Sequence, residues 1–237
     1  MKLLTIVVNF NQAYEIQAAL TGLLEHVVAE NIVVIDDGST DGSAEVAEQM
    51  GLPTVRHETN RGIGAAIRTG IFYAKENGFH AVVIFSSNGK MSPTQMRRVC
   101  GPVLAGTADY VQGSRFAKHG ESLRLPVLRW FLIHAFSFFA TAILRRRFTD
   151  ITCGYRAYRI DWLFDGDVHL AQHWLDRYEM EYYIHYKACR HNLRIQEVPV
   201  SIRYSHLSSD RQSKIKLSRS AWSIIRPLVL LPLGLRH

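Results

Sequence analysis

The sequence predicts an α/β fold: a mostly parallel central sheet covered by helices on both faces. Three observations predict it. Residues 3–8, 32–35 and 81–85 are short, nearly unbroken runs of Val, Ile, Leu, Ala and Phe, as expected of strands buried on both sides. Helical stretches alternate with them at 13–28, 43–50 and 63–77. Polar, Gly-containing turns close the second and third runs, and in such sheets ligands bind beyond the carboxyl ends of the strands.

Each element follows in order. Residues 3–8 form the first strand; the run is too short for a secretory signal. The second strand, 32–35, ends in Asp36-Asp37-Gly38-Ser39. Residues 54–56 make a short strand, and Gly78 stops the helix over 63–77. The third buried strand, 81–85, leads into residues 86–90. In the second half, 110–115 reads as a strand and turn, and 193–200 as a strand. Residues 128–144 are apolar and aromatic and run into Arg145-Arg146-Arg147. That length is marginal for a bilayer crossing of roughly 20 residues. The stretch is expected to lie at a membrane interface or to pack on the domain, and an ordinary buried helix is the alternative. Residues 222–235 are apolar but broken by Pro227 and Pro232. The division expected is a domain over 1–205 and a basic, apolar, membrane-associating tail over 206–237. Residues 214–226 of that tail read either as an interfacial amphipathic helix or as a solvated end.

Composition narrows the function. Of 237 residues, 47% are hydrophobic and 21% charged, which excludes a disordered chain. Cys100, Cys153 and Cys189 are odd in number and widely spaced, so neither a disulfide framework nor a zinc site is indicated and a reducing compartment fits. The net charge is +7. Its basic residues alternate with apolar runs and form no recognition motif, which favours a membrane surface and argues against nucleic acid. The histidines form no paired pattern.

Residues 33–43, with Asp36-Asp37-Gly38-Ser39-Thr40-Asp41, resemble the nucleotide-binding signature of glycosyltransferase family 2. Asn60-Arg61-Gly62-Ile63-Gly64, Gly113-Ser114-Arg115-Phe116 and residues 150–158 match further motifs of that family in the right order. The resemblance runs from Leu3 to about Tyr204 and is nearest to the dolichyl- or polyprenyl-phosphate sugar synthases. It implies a GT-A (Rossmann-like) fold, a nucleotide-diphosphate sugar donor of UDP or GDP type, inversion at the anomeric carbon, and a lipid-phosphate acceptor. A cytoplasmic protein held peripherally at the inner face of the membrane follows from the same reading. Oligomeric state is not legible.

Residue by residue, the expected nucleotide contacts are Val8, Phe10, Gln12, Asp36, Asp37, Ser39, Arg61, Gly62, Ser86, Ser87 and Asn88. Carboxylates past a strand end can take charge-assisted hydrogen bonds from a base or ribose; the alternative is that Asp36 to Ser39 are turn and capping residues. Phe10 either stacks on the base or belongs to the core. Gly62 and Gly64 at a helix start either expose amides to phosphate, with Arg61 adding charge, or serve close packing.

One family motif is broken. The resemblance implies an Asp-x-Asp that holds a divalent metal, Mg or Mn, with a Gln two positions on. Ser86 and Asn88 stand at the two acidic positions, and Lys90 replaces the Gln. Serine and asparagine are weak ligands for a hard cation. Either Lys90 supplies the positive charge that the leaving diphosphate needs, with no metal, or the site binds without turnover. Arg115 and Arg156 are the further expected cations, and Arg203 a third. A phosphate acceptor is already ionised and needs no general base; a sugar-hydroxyl acceptor does, and Asp150, Glu179 and Glu181 are the candidates. The leading reading is therefore transfer to a lipid phosphate. Transfer to a sugar hydroxyl, and a non-catalytic nucleotide-sugar-binding subunit, are the alternatives.

Overall fold

The computed structural model describes residues 1–204 and 217–236, with backbone alone for 217–221. Seven strands form the main sheet: β1 (Leu3–Asn9), β2 (Ile32–Asp36), β3 (Thr54–Arg56), β4 (Ala81–Ser86), β5 (Tyr110–Ser114), β7 (Arg156–Arg159) and β8 (Ile195–Pro199). They lie in the order β3-β2-β1-β4-β7-β5-β8. β7 alone runs antiparallel to its neighbours β4 and β5. The remaining pairings are parallel, with Val7 opposite both Val34 and Phe85.

The buried strands alternate their side chains between two cores, as the period of two requires. Leu4, Ile6, Val33, Ile35, Val82 and Ile84 point to one face. There they meet α3 (Ile63–Glu76) and α6 (Glu179–Arg190). Val7, Ile32, Val34, Val83 and Phe85 point to the other. There they meet α1 (Ile16–Leu24), α2 (Ser43–Gln49) and α4 (Met96–Leu104). Each such side chain contributes about 1.5–3 kcal/mol by leaving water. The unbroken apolar runs thus reflect two covered faces.

One expectation is corrected, and one strand was not foreseen. The helix foreseen over 13–28 is shorter, because Gln12 O takes the amides of Glu15 and Ile16 in a tight turn before α1. β7 lies inside the segment matched only as a motif. Its sequence, Arg-Ala-Tyr-Arg, lacks the apolar run that marks the other central strands.

Two outlying elements frame the site. β6 (Glu121–Leu123) and β9 (Ser201–Arg203) form a small parallel pair, to which Met91 bridges through Ile202. α5 (Val127–Leu144) packs on the body through Ile133, Ser137 and Ala140, and 17% of it is buried. Leu128, Phe131, Leu132 and Phe138 are exposed. The buried-helix alternative is therefore excluded: α5 shows solvent an apolar surface, and its length and composition suffice to cross a membrane. Of the tail, residues 205–216 lie outside the described residues. α7 (Leu217–Leu230) packs on α6 and buries Leu228 and Ser223.

Candidate active site

The carboxyl ends of β1, β2 and β4 meet at one edge of the sheet, and a hydrogen-bond network locks them together. Asn9, fully buried at the end of β1, donates to Asp36 Oδ1 (2.7 Å) and Ser43 Oγ (2.9 Å). Its own Oδ1 accepts from Ser87 Oγ (2.7 Å) past β4. Asp36 also accepts from the amide and hydroxyl of Ser39, at 2.9 and 2.5 Å. Its side chain has no exposure. The expectation of a direct nucleoside contact by Asp36 is corrected here: its carboxylate is spent on the loop. Ser39 is spent the same way, since its hydroxyl also accepts from the Asn11 amide.

Asp37 faces the cleft, yet it too is heavily engaged. It accepts from the amides of Arg61 (3.0 Å) and Gly62 (2.8 Å), from Asn60 Nδ2 (3.0 Å) and from His57 Nδ1 (2.8 Å). Gly38 between this carboxylate and Ser39 has φ +73°, and a Cβ there would stand 2.5 Å from the Thr59 backbone. Only glycine lets the two loops approach this closely.

At the amino end of α3, Gly62 and Gly64 sit at a close approach of two backbones. A Cβ on either would overlap the carbonyl oxygens of residues 175–177. Asp176 O accepts from the Ala65 amide at 3.0 Å. Arg68 holds the same segment through Asp176 Oδ1 at 2.5 Å. The backbone carbonyls of residues 175–177 pack directly against this helix start. The glycines serve packing, and Arg61 stays exposed beside them.

Between these loops opens a cleft of about 310 Å³. Val8, Phe10 and Gln12 line one wall; Asp37, Asn60 and Gly62 a second; Ser86 and Ser87 the floor. Arg177 and Tyr178 come from the segment before α6, and Ser223 from α7. Arg177 carries no motif in the sequence. It is exposed at the cleft and forms no ion pair among the described residues.

The donor set does not fit a divalent metal. Among the described residues no three His, Cys, Asp or Glu side chains gather in one place. Asp37, the one carboxylate lining the cleft, already accepts four hydrogen bonds. Asn88 Oδ1 accepts from the Lys90 amide. Ser86 and a partly engaged Asn88 are neutral ligands where a hard cation needs anionic oxygen.

Arg115, Arg156 and Asp150 are corrected as a group. Arg115 meets Asp150 through Nε (2.6 Å) and Nη2 (2.7 Å), and its remaining donors reach Thr152 and Tyr204. Burial works against its charge, but Asp150 outweighs that and raises its pKa. Arg156 is buried with its donors on the carbonyls of Ile151, Cys153 and Glu181. Neither arginine is free to hold a phosphate, and Asp150 is not free to act as a base. Glu179 is likewise occupied: it accepts from Ser223 Oγ at 2.6 Å and sits 3.7 Å from Arg226. Glu181 lies 3.5 Å from Arg156.

Lys90 differs from all of these. Its ammonium has no carboxylate within ion-pair distance among the described residues and lies 5.8 Å from the centre of the Tyr204 ring. Arg129, in the first turn of α5, lies 5.1 Å from the same ring. Burial lowers the Lys90 pKa, the like charge of Arg129 lowers it further, and Glu15 opposes both. Arg129 also bears on Tyr178 in the cleft wall. Arg129 was missed in the sequence; the available signal was a cation with no acidic neighbour at the head of an apolar helix. Arg203 stays exposed at the edge strand β9.

Comparison with known proteins adds the context. The model of the family described as glycosyl transferase family 2 matches residues 5–165. An undecaprenyl-phosphate mannosyltransferase of Micrococcus luteus is 29% identical, over 90% of this chain and 88% of the relative. A UDP-N-acetylglucosamine–dolichyl-phosphate N-acetylglucosaminyltransferase of Methanococcus voltae is 25% identical, over 97% and 95%. Among solved structures, glucosyl-3-phosphoglycerate synthase of Mycobacterium tuberculosis, in complex with Mn²⁺, UDP and phosphoglyceric acid, superposes with a TM-score of 0.68. It is 16% identical, and the match covers all of this chain and 80% of that one; the likeness supports a shared GT-A fold.

Proposed function

Since this chain belongs to glycosyltransferase family 2, we propose that it transfers a sugar, with inversion, from a nucleoside diphosphate sugar to the phosphate of a polyprenyl lipid. The relatives named above act on undecaprenyl and dolichyl phosphates, which supports the acceptor class. The observation that carries it is the start of α5. An exposed apolar helix carries Arg129 in its first turn, and Arg129 bears electrostatically on both Lys90 and the cleft residue Tyr178. A lipid phosphate has the matching form: an anion on an apolar chain. On this reading α5 lies against a membrane surface, and the protein is peripheral to it.

The reaction needs little from the protein beyond charge and position. An acceptor phosphate oxygen attacks the anomeric carbon from the face opposite the diphosphate. The new carbon–oxygen bond forms as the bond to the diphosphate breaks, and the nucleoside diphosphate leaves with the electron pair. No proton moves, because the attacking oxygen is already ionised. Asp37, Phe10 and Gln12 form the nucleoside end of the cleft. Arg177 and Lys90 supply the positive charge that the leaving diphosphate gathers. Serving this end by cations in place of a metal is consistent with the donor set. A sugar-hydroxyl acceptor is disfavoured, because Asp150 and Glu179 are both tied to structural partners.

The test is a donor screen with purified protein and polyprenyl phosphate, with and without EDTA. Glycolipid formed at equal rates in both arms supports the proposal. Strict dependence on Mg²⁺ or Mn²⁺ overturns the cationic assignment. Donor binding without transfer to any lipid phosphate overturns the reaction.

A further inference from the structure

A second cavity lies away from the cleft, at the carboxyl end of α5. It measures about 850 Å³ and is walled by Ile143, Leu144, Arg145, Arg146, Arg190 and Asn192, with Tyr186 and Cys189 from α6. An 18-residue helix is about 27 Å long, so this cavity and Arg129 mark opposite ends of one apolar rod. Three guanidinium groups line it and no carboxylate does. Arg146 is fixed by donating to the carbonyls of Leu193 (3.1 Å) and Ile195 (2.6 Å), which orient it without neutralising it. Arg145 and Arg190 are exposed and form no ion pair among the described residues. Arg145 ends α5 in a left-handed backbone conformation, φ 50°, which turns the basic run away from the helix axis.

Three unneutralised cations around an open cavity call for an anion. The surroundings say which kind. On the same helix, about one turn ahead of the cavity-lining Ile143 and Leu144, Phe138 is 78% exposed and Phe139 42%. A water-soluble anion has no use for those rings, whereas an acidic phospholipid matches both halves: its phosphodiester fits the arginines and its acyl chains run along the aromatic face.

We propose that this cavity is a binding site for the headgroup of an acidic phospholipid. It is separate from the acceptor site, and it holds α5 flat by anchoring the end opposite the cleft. The proposal rests on the membrane-facing reading of α5, and the experiment separates the two.

Full-length protein is sedimented with vesicles of phosphatidylcholine alone or mixed with phosphatidylglycerol. The wild type is expected to bind both, and the mixed vesicles more strongly. Arg145→Asn with Arg190→Gln, which spares the structural Arg146 and keeps a residue tolerant of left-handed backbone at 145, is expected to remove the gain. Each arginine near an anionic surface is worth about fivefold, so the pair is worth about thirtyfold in partitioning. Arg190→Gln alone, with its fold checked by circular dichroism, should lose about fivefold. Phe138→Ser should weaken binding to both vesicles alike. A charge-matched control on other faces, Lys75→Ala with Arg97→Ala, should keep the wild-type preference. If the Arg145/Arg190 variant keeps it as well, or the control loses as much, the cavity proposal is overturned. Equal wild-type binding to both vesicles overturns the cavity alone. Wild-type binding to neither overturns the membrane-facing reading of α5 and the cavity with it.

Discussion

Arg115 and Asp150 face each other through two short hydrogen bonds, 2.6 and 2.7 Å, with both side chains buried. Both sit in motifs shared with glycosyltransferase family 2, and each neutralises the other's charge. The pair joins the end of β5 to the loop before β7. Removing one partner of a buried ion pair leaves the other charge without compensation, at a cost of about 3–5 kcal/mol. Asp150→Asn should therefore lower the urea midpoint sharply and lose activity only in proportion to unfolding. A variant that unfolds like the wild type but transfers no sugar would mean that Asp150 acts in the chemistry.

Lys90 is predicted to carry the charge role that the missing carboxylates and their metal would otherwise fill. Lys90→Gln restores the residue typical of the family without restoring its acids. Transfer should fall by about 10²–10³-fold, the usual loss when one stabilising group for developing charge is removed. Added Mn²⁺ should not rescue it, because Ser86 and Asn88 still offer no anionic ligand. Steady-state rates with and without Mn²⁺ check this, and rescue by the metal would sink the assignment.

The same lysine sets a pH dependence. Burial lowers its pKa, the Arg129 charge lowers it further, and Glu15 opposes them. A lysine is charged below its pKa and loses that charge as pH rises through it. Activity should therefore decline on the alkaline side at a lower pH than an ordinary lysine would give. Arg129→Gln removes a repelling charge and should move that limb upward. Glu15→Gln removes an attracting charge and should move it downward. Profiles of kcat/KM against pH for the three proteins decide it, and limbs that coincide would exclude Lys90 as the titrating group.

Much of the architecture was legible because two covered faces leave a plain trace. Val33-Val34-Ile35 and Val82-Val83-Ile84 have to be apolar on both sides, and they are. β7 left no such trace, since Arg156 satisfies its buried guanidinium on carbonyls that only the fold brings near. The same limit explains the site. An arginine that holds phosphate and one that holds a distant carboxylate look alike in sequence, because the partner of Arg115 lies 35 residues away. Gly62 and Gly64 were ambiguous because a helix amide donates to a phosphate oxygen or to a carbonyl equally well. The carbonyls of residues 175–177 belong to a segment with no motif. Arg177 escaped notice for the same reason.

Gly64 gives a test of that packing. A methyl group there would overlap the carbonyls of Leu175 and Arg177, and backbone atoms cannot rotate aside as a side chain can. Gly64→Ala should destabilise by about 1–3 kcal/mol, the usual cost of overpacking. It should also shift Arg177 and Tyr178, which follow the displaced segment and line the cleft. A lower thermal midpoint together with a raised KM for the donor is expected. An unchanged midpoint would show that the 175–177 segment is not packed against α3 in solution.

Glu179 separates a structural carboxylate from a catalytic one. It accepts from Ser223 Oγ at 2.6 Å and attracts Arg226 at 3.7 Å, so it fastens α7 to α6 where Ser223 lines the cleft. A general base at this position would lose about 10²–10⁴-fold on conversion to the amide, which cannot take a proton. A fastening residue responds differently, because Gln still offers Ser223 an acceptor oxygen. Glu179→Gln should keep most of the rate on a lipid phosphate. Glu179→Ala, which deletes the acceptor and leaves Ser223 unpaired, should raise the donor KM and loosen α7. Hydrogen exchange over residues 222–230 reads the loosening, and initial rates read the chemistry. A collapse of kcat in Glu179→Gln with α7 still protected would make Glu179 the base and shift the acceptor from a phosphate to a hydroxyl.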